Sequence, residues 1–179
     1  MKHVPLAAPL SLAFAVFAAS VLIAIPAHAQ SSMTYSPLTG SPGAAGTKIK
    51  TEPHCCPTTA LLVKAHQPVG ENDFQWVTLG LTVPEPNAGA LISAVEVCYE
   101  IVAPKPDTAY ISQTRLTDMT IPNAANVRLD DPTNRMPGRP NCYTVKAGFK
   151  PRGTVTLALK VVMSNVRDEI RLGMVRLYF

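Results

Sequence analysis

The sequence predicts an all-β fold, an antiparallel β-sandwich of jelly-roll type, and three observations carry that expectation. Seven runs are rich in Val, Ile, Leu, Thr and Tyr: Phe74–Val83, Leu91–Val102, Ala109–Thr120, Asn126–Leu129, Cys142–Val145, Thr154–Met163 and Ile170–Phe179. Turn chemistry separates them, as at Asp131-Pro132, Pro137-Gly138 and Pro151-Arg152-Gly153, and short β-rich runs at such spacing mark sandwiches and barrels. The chain also holds 17 prolines, most of them between these runs, which opposes long helices.

The chain divides into three parts. Residues 1–29 read as a signal peptide: Met1-Lys2-His3 is a short positive start, Leu6 to Ile25 is an uncharged apolar run, and Ala27-His28-Ala29 offers a cleavage site. An uncleaved anchor is the alternative, since about twenty apolar residues can span a bilayer. Pro5, Pro9 and the small residues at Ala27 and Ala29 favour cleavage. Residues 30–53 read as a flexible linker, rich in Gly, Ser and Pro and without apolar periodicity. Residues 54–179 then form the β-sandwich domain, with room for one helix at Thr58–Ala65.

Within the domain, Thr154–Met163 alternates cleanly. Val155, Leu157, Leu159, Val161 and Met163 fall on one face, and Thr154, Thr156, Ala158 and Lys160 on the other. In Leu91–Ile101 the inward set is Leu91, Val95, Val97, Tyr99 and Ile101, opposite Glu96, Cys98 and Glu100. The last run changes phase between Leu172 and Val175, with Gly173 at the change, the pattern of a β-bulge. Trp76, the only tryptophan, is expected in the core.

Four cysteines follow the leader. In an oxidising compartment an even count points to disulfides. Cys98 and Cys142 each precede a Tyr and lie on the polar face of their strands. A cross-strand bridge between them would stabilise the fold by roughly 3–4 kcal/mol in the chain-entropy picture. His54, Cys55, Cys56 and His66 gather two imidazoles and two thiols, ligands suited to copper(I) or zinc. Their spacing matches no zinc pattern, and disulfides of Cys55 or Cys56 are the structural alternative.

Charge is uneven along the chain. Nine acids and three bases lie between Glu71 and Asp131, whereas seven bases and no acid lie between Pro132 and Arg167. The structural reading is neutralisation across neighbouring strands. The functional one is a basic face of Arg135, Arg139, Lys146, Lys150 and Arg152 for an anionic surface. Asp130-Asp131-Pro132-Thr133-Asn134 reads as a capped turn ahead of a calcium loop.

Catalytic constellations are missing: there is no Gly-x-Ser-x-Gly elbow and no His-Glu-x-x-His. Glu96 and Glu100 would stand about 13 Å apart along one strand, wider than a glycosidase pair. The expectation is thus a periplasmic or extracellular, non-enzymatic module without a resident cofactor. Its partners would be an anionic or carbohydrate surface, such as a polysaccharide or cell-surface component, or copies of itself as a homo-oligomer. The formal net charge of +4 is too small to imply nucleic acid. The runner-up is a periplasmic copper- or zinc-binding protein using the His54-Cys55-Cys56/His66 cluster.

Overall fold

A computed structural model describes residues 31–43, 47–54, 60–84, 87–122, 124–136 and 138–179. The expected signal peptide, Cys55 and Cys56 lie outside these residues. The described chain is an antiparallel β-sandwich. Its strands are β1 (Ser32–Tyr35), β2 (Ser41–Pro42), β3 (Ile49–Pro53), β4 (Leu61–Ala65), β5 (Trp76–Leu81), β6 (Ile92–Val102), β7 (Ala109–Met119), β8 (Ala125–Asp131), β9 (Gly138–Phe149), β10 (Thr154–Met163) and β11 (Glu169–Tyr178).

One sheet has the order β3-β4-β11-β6-β9, with β1 also paired to β11; the other has the order β2-β5-β10-β7-β8. The pairings nest: β7 lies beside β8, β6 beside β9, β5 beside β10 and β4 beside β11. A chain folded back once at β7–β8 and rolled so that successive pairs fall in alternate sheets has this order. That is the jelly-roll arrangement. We call the sheet containing β11 sheet A and the sheet containing β10 sheet B.

Alternation along the strands supplies the core. Val155, Leu157, Leu159, Val161 and Met163 of β10 are buried as the period-2 pattern predicts. They meet Val95, Val97, Ile101, Ile170, Leu172, Val175 and Leu177 from sheet A. Each such side chain contributes roughly 1.5–3 kcal/mol of burial free energy. The phase change in β11 is a bulge: Leu172 faces Tyr99 and Val175 faces Val97, so Gly173 and Met174 together oppose Cys98. The bulge restores the inward direction to Val175 and Leu177 after the parity slips.

Three expectations need correction. Within residues 30–53, read as a linker, Ser32–Tyr35, Ser41–Pro42 and Ile49–Pro53 are strands. β1 pairs with β11 where β4 has ended, β2 edges β5, and β3 edges β4. These strands are two to five residues long, and their ladders come from partner strands with no periodicity of their own. Leu61–Ala65 is β4 and not part of a helix, since its alternation with Ile49–Pro53 buries Leu61 and Val63 against the core. Leu91 precedes β6 and is 48% exposed, while Ile92 is fully buried. A register shift between Ile92 and Ala94 moves the inward phase by one residue at that end.

Candidate functional site

The sandwich presents two outer faces of different character. On sheet A, outward side chains form ion-pair ladders across the strands. Lys64 bridges Glu52 on β3 at 2.9 Å and reaches Glu169 on β11 at 3.7 Å; Arg171 joins Glu169 at 3.1 Å and Glu100 on β6 at 2.8 Å. Further along, Arg176 pairs with Glu96 at 3.5 Å, and the Tyr178 hydroxyl donates to the same carboxylate at 2.9 Å. Glu96 and Glu100 are therefore partners of arginines. Burial lowers and these two carboxylates raise the Arg171 pKa, with a net rise that keeps the guanidinium charged.

Sheet B is built differently. In β5, Val77, Leu79 and Leu81 point inward, which turns Trp76, Thr78 and Gly80 outward. Trp76 is thus half-buried on the outer face, against the sequence expectation of a core position. The strand register sets Trp76, Lys160 and Gln113 in one row across β5, β10 and β7, and Thr78, Ala158, Arg115 and Asp130 in the next. The small side chain of Ala158 leaves the Arg115 guanidinium room to cross β10. It lies 4.9 Å from the Trp76 ring centre and pairs with Asp130 at 3.1 Å. Gln113 also donates to Asp130. Burial raises the Asp130 pKa, but the Arg115 and Gln113 hydrogen bonds and the Arg115 charge outweigh it and lower the net value.

Phe74 stands at the margin of this face and is 73% exposed, with the Lys160 ammonium 4.9 Å from one side of its ring. An exposed phenyl ring beside hydrogen-bonding side chains offers a ligand both an apolar plane and polar handles. A bulge in β7 places Ser112 and Gln113 together opposite Lys160. Tyr110, in the following row, donates its hydroxyl to Glu71 at 2.5 Å. Burial, the Glu71 hydrogen bond and its charge push the Tyr110 pKa up to about 12, so the phenol stays a donor at all ordinary pH. The charges of the face balance: Arg115 and Lys160 against Glu71 and Asp130.

The residues singled out from sequence are distributed as follows. Cys98 and Cys142 are directly opposite each other on β6 and β9 and form a disulfide on the outer face of sheet A. A cavity of about 330 Å³ opens over it, lined by His54, Tyr99, Glu100, Asn141 and Arg171. His54 is hydrogen-bonded through its backbone to Ala60, whereas His66 is bonded to Lys48 at the other end of the β3–β4 hairpin. The five residues of β4 lie between Ala60 and His66, six steps that total about 20 Å at the rise per residue. His54 and His66 thus lie at opposite ends of the β3–β4 hairpin, and Cys55 and Cys56 lie outside the described residues. Among the described residues no three His, Cys, Asp or Glu side chains gather as a metal site.

The five basic residues do not act alike. Arg135 is paired with Asp131, and its guanidinium stacks 4.2 Å from the Tyr143 ring centre. Arg139 and Lys146 lie along the edge strand β9, and Lys150 and Arg152 lie in the turn after it, all exposed. Among the described residues these four have no carboxylate in ion-pair range, and the acids of the 71–131 stretch pair mainly with Lys48, Arg115, Arg128, Arg171 and Arg176. Asp131 caps its turn by accepting from the Thr133 backbone and hydroxyl, as the turn reading expects.

The candidate site is thus the outward face of one sheet of a jelly-roll sandwich. No family model and no curated protein matches the sequence. Among solved structures the chain is similar to the CBM22-1 xylan-binding domain of Paenibacillus barcinonensis Xyn10C, at 9% identity and a TM-score of 0.46, covering 81% of this chain and 92% of that one. It is also similar to a family 29 carbohydrate-binding module from Piromyces equi, at 7% identity and a TM-score of 0.43, covering 83% and 91%. A third likeness is to a carbohydrate-binding module CBM36 in complex with calcium and xylotriose, at 10% identity and a TM-score of 0.42, covering 80% and 97%. At these identities and scores the likeness is one of outline.

Proposed function

We propose that this protein is an exported, non-enzymatic carbohydrate-binding module whose ligand lies along the outer face of sheet B. The observation that carries the reading is Phe74, 73% exposed at the edge of a face that carries hydrogen-bonding side chains of balanced charge. A sugar has an apolar C–H face to lie on the ring and hydroxyls for Lys160, Gln113 and Glu71. Because Arg115 and Lys160 are offset by Asp130 and Glu71, the face suits a neutral glycan. Sheet A, whose carboxylates and guanidiniums already hold one another, offers no such platform.

Export is supported by the Cys98–Cys142 bridge, since disulfides persist in oxidising compartments, together with the leader read in residues 1–29. Among the described residues no helix is long and apolar enough to cross a membrane. A second reading, attachment to an anionic surface, is favoured by the unpaired Arg139, Lys146, Lys150 and Arg152. Such binding would fall steeply with salt, whereas stacking on Phe74 would not.

The test is native gel electrophoresis through gels containing dextran, xylan, glucomannan, β-1,3-glucan or alginate. Retardation by one of the neutral glycans, lost in Phe74→Ala and kept in Lys146→Ala, is expected. Retardation by alginate alone, or by a neutral glycan to the same degree in Phe74→Ala, would overturn the reading.

A further inference from the structure

The outer face of sheet B is closed at one end. By alternation along β10, Val162 points the same way as Thr154, Thr156, Ala158 and Lys160, and it lies opposite Tyr110 on β7. Yet Val162 is 2% exposed and Tyr110 6% exposed, so two outward-facing side chains are covered. The cover is the connection between β4 and β5. Val69 exchanges both backbone hydrogen bonds with Met163, the Glu71 carbonyl accepts from the Lys160 ammonium at 2.9 Å, and the Glu71 carboxylate accepts from Tyr110. On the other flank Pro132 and Asn134, from the β8–β9 connection, border the same cavity of about 300 Å³.

Among the described residues the opposite end of the face has no such cover. Thr154, Gly80 and Gly153 are exposed there and line a cavity of about 480 Å³ floored by small side chains and backbone. From Thr154 to Lys160 the lane runs about 20 Å along β10. The Trp76–Arg115 contact crosses this face above β10, so a chain entering from the Thr154 end passes over that stacked pair and ends against Glu71.

The geometry points to recognition of a chain end: the terminal sugar of a neutral glycan sits against Glu71, Lys160, Gln113, Ser112 and Asn134. This rests on the carbohydrate reading above and deepens it. A terminal sugar differs from an internal one by a free hydroxyl where the next linkage would be. The closed end supplies what such a hydroxyl needs: a carboxylate acceptor in Glu71, an ammonium donor in Lys160, and two amides able to do either. An internal segment would have to pass through the Glu71–Tyr110 wall. The wall also has a reason to stay in place, because the β4–β5 connection is tied to β10 and β7 through backbone as well as side-chain bonds.

The test uses dextran, xylan, glucomannan and β-1,3-glucan, each as long chains and after partial acid hydrolysis, with binding followed by titration calorimetry at equal mass of glycan. The number of protein molecules bound per unit mass should rise in proportion to the number of chain ends. Binding capacity unchanged by shortening would overturn the inference while leaving the carbohydrate reading intact. Absence of binding to all four glycans at either length would overturn both. Glu71→Gln keeps the size of the side chain and removes the charge of the wall. It should weaken binding of the short chains severalfold at unchanged melting temperature, and undiminished affinity in that variant would also overturn the assignment.

Discussion

Replacing Cys98 and Cys142 together by Ser removes the bridge between β6 and β9 while leaving the rest of both strands intact. The cysteines are 44 residues apart in sequence, and a loop of that length loses about 13 cal/mol/K of chain entropy in the unfolded state, or about 4 kcal/mol at 25 °C. The native side of the balance changes little. Cys142 is exposed and Cys98 half-buried on the outer face of sheet A, so the serines open no cavity and can be hydrated. Cys98 and Cys142 also remain register partners in the β6–β9 ladder without the sulfurs. The whole effect should therefore arise in the unfolded chain. At about 2–4 °C per kcal/mol for a domain of this size, the melting temperature should fall by roughly 8–16 °C.

Circular dichroism melts of the two proteins give the shift, and urea titrations give the slope. Because the unbridged chain unfolds to a looser ensemble, the denaturant dependence should steepen in the variant. A drop of less than about 2 °C would refute the chain-entropy argument at this site. A large drop with an unchanged slope would place the effect in the native state, in a loosened β9.

Three other outcomes are expected. Asp118 is fully buried; burial raises its pKa, but Arg128 at 2.9 Å and the Arg152 N–H at 3.2 Å outweigh that and lower it below the ordinary value. Its contribution is present above about pH 4 and lost as pH falls through the lowered folded value, and Asp118→Ala should cost on the order of 3 kcal/mol in urea melts at pH 7. In alkaline absorbance titration Tyr110 and Tyr143 should remain protonated until near pH 12, because burial pushes both up to about 12. Their raised values contribute stability that is complete below pH 10 and lost as pH rises from 10 towards 12; ionisation of all five tyrosines near pH 10 would contradict this. Gly153→Ala should strongly destabilise the protein, since an added Cβ would meet the Met119 carbonyl oxygen at 2.1 Å, and a wild-type melting temperature would refute that packing.

The strands visible in the sequence are those whose alternation reflects burial on one side. β10 and the phase change at Gly173 could be read directly, and the matching Cys-Tyr pairs placed both sulfurs outward. The strands before Leu61 could not be read. They are short, two of them end in Pro, and β1 owes its place to β11, more than a hundred residues away. Trp76 is an instructive miss. The general preference for burying tryptophan yields here to the Val77, Leu79 and Leu81 alternation beside it, which turns Trp76 outward. The closed end of the sheet B groove had no sequence signal at all. It is made by the β4–β5 connection, which has no periodicity, lying over outward-facing Val162 and Tyr110. His54 and His66, close in sequence, lie at opposite ends of β4, a separation that only the β3–β4 hairpin reveals.

The nested pairing has a consequence for how the molecule can be made. β11 follows every other strand of the sandwich in the chain, yet it occupies the middle of sheet A, between β4 and β6 and beside β1. Until it arrives, those three strands have no neighbour on that side, and their unpaired backbone edges are open to other chains. The β7–β8 hairpin can form early, but the loop that joins β4 to β11 is among the longest in the molecule, and closing it comes late. A chain emerging from its amino terminus therefore carries a half-built sheet until β11 has been made. Its protection against aggregation in that interval depends on whatever holds it unfolded, not on its own structure.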